Sequence, residues 1–256
     1  MSLRKPFLCL MLAALVFSFP VLAEEDEPTI NEEAEDFAKD FKKNIKRLTE
    51  GELFEGIDKI AEYYMNAEVD DKGARKAIME AFAKAAVHKN KAVVAHFAKI
   101  CEKLDTGIVK LVVLVLQKEL KARVPSDQVY EPALDTIGKL HSEDPKVVKM
   151  LTDLYKNKDS SIISRAFYAS SLYGPASGNT RKEMFEEVVK QTEGTHAASL
   201  SNDETAKRKW TICGRDAMDA LNALSVPPRT VPDFATPADA RKWFNDNKKI
   251  PWDPRD

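Results

Sequence analysis

The sequence predicts an all-α chain of stacked antiparallel helical hairpins, and three observations carry that prediction. Apolar residues recur at three- and four-residue spacing in segment after segment, the breaks between segments are short and rich in capping residues, and alanine–leucine segments return at near-regular intervals. The stretch 128–174 shows all three features. Tyr130, Ala133, Leu134, Ile137 and Leu140 form one helical stripe, and His141-Ser142-Glu143 breaks it. Asp144-Pro145 then restarts the pattern as an N-cap followed by proline at the first helical position, ahead of a second stripe of Val147, Val148, Leu151, Leu154 and Tyr155. Two amphipathic helices joined so closely are expected to fold back on each other. Asp159 opens a third helix with Ile162, Ile163, Ala166, Phe167 and Leu172, stopped at Tyr173-Gly174.

Taken from the N-terminus, residues 1–23 read as a secretory signal peptide. They combine a basic start (Arg4, Lys5), an apolar run over 7–19 and the small-residue ending Val21-Leu22-Ala23. Residues 24–30 read as an acidic flexible tail, 31–225 as a helical-repeat array, and 226–256 as a C-terminal capping helix with an extended tail. Within the array, Phe37, Phe41, Ile45 and Leu48 stripe a first helix. Leu53, Ile57, Ile60 and Tyr64 stripe its partner. Asp70-Asp71 caps an alanine-rich helix (Ala74, Ala77, Ile78, Ala81, Phe82, Ala85), and Phe97, Ile100, Cys101 and Leu104 mark the next one. The segment 108–122 is apolar nearly all round in its first half, which predicts a helix covered on several sides.

After Gly174, Met184, Phe185, Val188 and Val189 predict a helix that pairs with the one carrying Ile162. Residues 192–205 are polar and read as an insertion that either lines a binding surface or forms a disordered connector. Trp210, Cys213, Gly214, Ala217, Leu221 and Leu224 lie on a last long helix, with Trp210 expected in the core. Pro227-Pro228 ends that helix. Thr236-Pro237 with Asp239 then reads as the capping box of a short helix holding Ala240, Trp243 and Phe244, and Trp252 is expected to join this cap rather than form a docking peptide.

Removing a leader that carries Arg4 and Lys5 leaves 233 residues and takes the formal net charge from −2 to −4, which argues against nucleic acid as the main partner. No later apolar run is long enough to span a bilayer, so the mature chain is expected to lack a membrane span. Cys101 and Cys213 survive cleavage, and an even count in an exported chain makes a disulfide a candidate. Each lies on an apolar stripe, however, and they are 112 residues apart, a distance along a stacked array well beyond disulfide reach. Two buried free thiols are therefore expected.

The unit Asp159-Ser160-Ser161-Ile162-Ile163-Ser164-Arg165-Ala166, followed by Leu172 and Gly174, resembles the HEAT-repeat pattern of a turn aspartate, branched apolar residues, an arginine and an alanine-rich helix. Alanine–leucine segments beginning at Ala133, Ala166 and Ala217 recur 33 and 51 residues apart, the first interval being near a repeat length. The ending with Thr236-Pro237 and Trp243-Phe244 looks like the tail of exported bacterial HEAT-like proteins. The resemblance covers about 70–252. It implies a right-handed α-solenoid with a short C-terminal capping helix, used as a protein-binding scaffold, and it carries over no catalytic residue.

The residues supply no local catalytic constellation. His88 and His96 do not have a metal-ligand spacing, and His141 sits at a helix end, where a cation meets the dipole favourably. There is no nucleophile elbow, phosphate-cradling glycine loop or paired-cysteine motif. No catalytic, cofactor-binding or metal-binding residue is nominated, and no cofactor is expected. The function expected is that of a non-enzymatic exported (periplasmic or extracellular) scaffold for a protein partner. An enzyme with a site assembled from distant helices, or a compact structural bundle, are the alternatives.

Overall fold

A computed structural model describes residues 28–225 and 233–252, which form helices joined by turns with no strand among them. The helices are α1 (Ile30–Asn44), α2 (Glu50–Met65), α3 (Lys72–Ala86), α4 (Lys91–Cys101), α5 (Val109–Leu120), α6 (Asp127–Leu140), α7 (Pro145–Asp153), α8 (Ser160–Ser171), α9 (Gly178–Ser199), α10 (Glu204–Ser225) and α11 (Pro237–Asn247). None of them is long and apolar enough to cross a membrane. The signal-peptide segment 1–23, the diproline at 227–228 and the final residues 253–256 lie outside the described residues.

Local chemistry sets most boundaries. Thr29 and Thr49 each accept a hydrogen bond from the backbone N–H of the glutamate three residues on, while Glu32 and Glu52 reach back to the threonine N–H. The acidic segment assigned to 24–30 therefore ends in a helix cap: Thr29 is the N-cap and Ile30 the first residue of α1. Asp71, Asp144 and Asp159 cap α3, α7 and α8 through their carboxylates, and Thr236 with Asp239 closes a capping box on α11. His141 ends α6 in the left-handed region (φ 32°, ψ 48°), and its Nδ1–H donates to the Lys139 carbonyl at 2.9 Å.

Most helices pack on the helix two places further along as well as on a chain neighbour, the exception within the series being α5, which does not pack closely on α7. The even-numbered helices form one continuous row, α2 on α4, α4 on α6, α6 on α8 and α8 on α10. The odd helices pair as α1 on α3 and α3 on α5, then α7 on α9 and α9 on α11. Chain neighbours also touch, α1 with α2, α2 with α3, α3 with α4, α4 with α5, α5 with α6, α7 with α8, α9 with α10 and α10 with α11, whereas α6 with α7 and α8 with α9 are not among the close pairs. This shifts the pairing expected from the sequence, which joined the Tyr130 helix to the Val147 helix and the Ile162 helix to the Met184 helix. Periodicity reveals that a helix has a face to bury, but not which neighbour buries it. In α6, the residues Val129, Tyr130, Ala133, Leu134, Ile137 and Leu140 are all buried, and they wrap far enough round the helix to serve α4, α5 and α8 together. The α6–α8 approach is close: a Cβ on Gly138 would lie 2.6 Å from the Ala169 carbonyl oxygen, so only glycine fits.

Three further expectations are corrected. Phe37 is 36 % exposed, and small Ala34 and Ala38 take the buried face of α1 instead, because α3 packs closely there. The apolar α5 packs on α3, α4 and α6 and so is covered on several sides as expected, with Leu114 left 41 % exposed. Trp210 is only half-buried, its ring 4.7 Å from His196, because both lie on the outer turns of the longest helix pair. Residues 192–199 belong to α9 rather than to an insertion, so only 200–203 connect it to α10. The polar residues that read as breakers are satisfied inside the helix: Thr192 Oγ1 donates to the Val188 carbonyl at 2.7 Å and Thr195 Oγ1 to that of Gln191 at 3.2 Å.

The C-terminal end is sealed by aromatic rings. Phe185 of α9 lies within 6.0 Å, centroid to centroid, of Phe234, Trp243, Phe244 and Trp252. Trp252 is 4 % exposed, and its carbonyl accepts from buried Arg181, which makes it part of the cap. Cys101 and Cys213 are both buried and unpaired.

Candidate functional site

Because the even helices lie side by side, residues one turn apart on each of them combine into one surface. Across α2, α4, α6 and α8 that surface sinks into a cleft of about 610 Å³. Phe54 of α2 and Ala92 and Ala95 of α4 supply apolar wall. His96, Lys99 and Glu102 supply the polar edge of α4, and Arg165 closes the α8 side. Asp127, Gln128, Glu131, Pro132 and Asp135 come from α6. At successive offsets of one, three, one and three residues they share a single helix face.

The row is cross-braced by polar side chains along this surface. His96 Nε2 meets Asp58 Oδ1 at 2.7 Å, with its ring stacked on Phe54 at 4.4 Å, joining α4 to α2. Glu102 pairs with Lys139, and Thr136 Oγ1 donates to the Ala98 carbonyl at 2.7 Å, joining α4 to α6. Asp135 pairs with Arg165 between α6 and α8. Ser164 donates to Asp216 and to the Ile212 carbonyl between α8 and α10. Burial pushes the Asp135 carboxyl above its ordinary range, and the hydrogen bond from Arg165 pulls it part of the way back. The guanidinium also sits 4.7 Å over the Tyr168 ring. In that geometry Asp135 Oδ1 and Arg165 Nε are buried without a hydrogen-bond partner.

Pro132 is the unusual residue of this wall. It lies inside α6 and has no N–H to give to the carbonyl of Gln128, one turn earlier on the cleft face. The sequence reading of this helix passed over that signal: a proline within a strong helical stripe is a local conflict, and such conflicts concentrate at functional positions.

No family model, curated protein or solved structure matches this chain.

The three histidines weighed from the sequence are kept apart. His96 lines the cleft. His88 lies in the α3–α4 turn, where its Nδ1 accepts from the Asn90 N–H at 3.2 Å, beside a second cavity of about 210 Å³. His141 caps α6. Among the described residues no three His, Cys, Asp or Glu side chains converge to hold a metal. Chemically the cleft offers an apolar lining, fixed ion pairs and spare hydrogen-bond acceptors, the equipment of a binding surface.

Proposed function

We propose that the chain is a non-enzymatic, exported protein–protein interaction scaffold. On this reading it is a right-handed HEAT-like α-solenoid, secreted to the periplasm or beyond after cleavage near Ala23, with the row α2–α4–α6–α8 as its binding face. The observation that carries the reading is the cleft itself. It spans four helices of one row, its volume falls in the range of about 300–1,000 Å³ typical of ligand sites, and its walls mix apolar and polar groups. The packing of helices on their second neighbours supports the solenoid, because in such arrays each unit buries its core against adjacent units.

The test is affinity capture with the purified chain from its own envelope or secreted fraction, with Ala95→Trp as control. Ala95 is half-buried on a helix face, so tryptophan fills the cleft without disturbing the core. The expected outcome is a partner retained by the natural chain and lost with Ala95→Trp. Solution scattering checks the shape, with a radius of gyration clearly above the ~17 Å of a compact chain this size. An N-terminus at Glu24 by mass spectrometry checks export.

A further inference from the structure

The charges in the cleft do not balance, and the imbalance has a location. Glu102 is paired with Lys139 and Asp135 with Arg165. Setting those pairs aside leaves Asp127 and Glu131, one turn apart on α6, against Lys99 among the described lining residues. Beside them lies the Gln128 carbonyl that Pro132 deprives of its helical donor. Asp127 Oδ1 accepts from the Gln128 N–H at 2.8 Å, which leaves its second oxygen, the Glu131 carboxylate within electrostatic reach of Arg165, and the Gln128 carbonyl as acceptors on one turn, while Phe54, Ala92, Ala95 and Pro132 give an adjoining apolar surface. A long cationic side chain matches both halves, with its methylenes on the apolar wall and its charged head among the acceptors.

We infer that the cleft binds an extended basic segment of a protein partner, receiving an arginine or lysine side chain between Asp127 and Glu131 of α6. The inference rests on the scaffold reading above and names the chemistry of the partner. Arg165 repels a second cation placed towards α8 and Lys99 one placed towards α4, while the acidic turn of α6 admits the first.

The test is fluorescence anisotropy of the purified chain with three labelled octapeptides identical except for two central positions, Arg-Arg, Gln-Gln or Glu-Glu. The Arg-Arg peptide is expected to bind saturably and about tenfold more tightly than Gln-Gln, the effect of one charge-assisted hydrogen bond, and its binding should weaken with added salt. Asp127→Asn and Glu131→Gln are near-isosteric and leave the core untouched, so far-UV circular dichroism should stay unchanged while the preference for Arg-Arg falls. Lys99→Gln should tighten Arg-Arg binding. Equal binding of Gln-Gln, tighter binding of Glu-Glu, or Arg-Arg binding indifferent to both α6 variants overturns the inference. Capture of a partner that Ala95→Trp abolishes, with no preference for Arg-Arg, overturns it too while leaving the scaffold reading in place.

Discussion

The aromatic cap and the even-row cleft are two surfaces of the same kind of helix stack, finished in opposite ways. At the C-terminal end Phe185 meets four other aromatic rings, and Arg181 spends its hydrogen bonds on the Ala176 and Trp252 carbonyls. That surface is closed, because a terminal unit must hide its apolar face from water. On the even row the corresponding surface is lined with alanines, charged residues and a helix-interior proline, and it leaves Asp135 Oδ1 and Arg165 Nε without partners. The difference separates an end that is complete by itself from a face that is not.

Five variants sharpen or break that contrast. The largest effect is expected at the cap. Trp252→Ala removes a buried indole and should cost about 3–5 kcal/mol of unfolding free energy in denaturant titrations. A loss below ~1 kcal/mol would show that the cap is not part of the cooperative unit. Next is Gly138→Ala, which places a methyl against the Ala169 backbone and should cost about 1–3 kcal/mol by the same measurement. A neutral result would mean that α6 and α8 separate easily.

Within the cleft, Arg165→Ala leaves the Asp135 carboxylate without its cation and is expected to cost about 1–3 kcal/mol at neutral pH. The sign of its pH dependence follows from Asp135. Its folded-state pKa is raised, so the folded chain holds the proton more tightly than the unfolded one. The associated penalty is absent below the ordinary carboxyl value near 3.8 and develops as pH rises through the raised value. Wild type should therefore gain stability relative to Asp135→Asn on acidification through that window, and a difference that is flat with pH would contradict the assignment. The smallest effect is expected for Thr236→Ala, which opens the capping box of α11 and should lower stability by about 1 kcal/mol.

Much of the helical framework could be read from single residues. Asp144-Pro145, Asp159 and Thr236-Pro237 mark true helix starts because a cap is a local event, decided by a side chain and the three amides that follow it. The pairing of helices was not legible, because the stripe on α6 serves three neighbours and periodicity cannot say which. Residues 192–199 misled for a physical reason: Thr192, Thr195 and Ser199 return their hydroxyls to carbonyls of their own helix, a choice that composition does not reveal. The cleft was least visible of all. Phe54, His96, Asp135 and Arg165 are spread over four helices and meet only through packing, and Pro132 was the single residue that announced the site from within one segment.

Cys101 and Cys213 carry a last consequence. Cys101 is sealed in the core and Cys213 nearly so, and burial drives both thiols up from their ordinary pKa. A thiol held in its neutral form exchanges slowly, so folding shields these two thiols from disulfide exchange. Opening of the fold exposes both of them at once. In oxidising surroundings that makes folding the protected outcome and unfolding the one that leaves a covalent record.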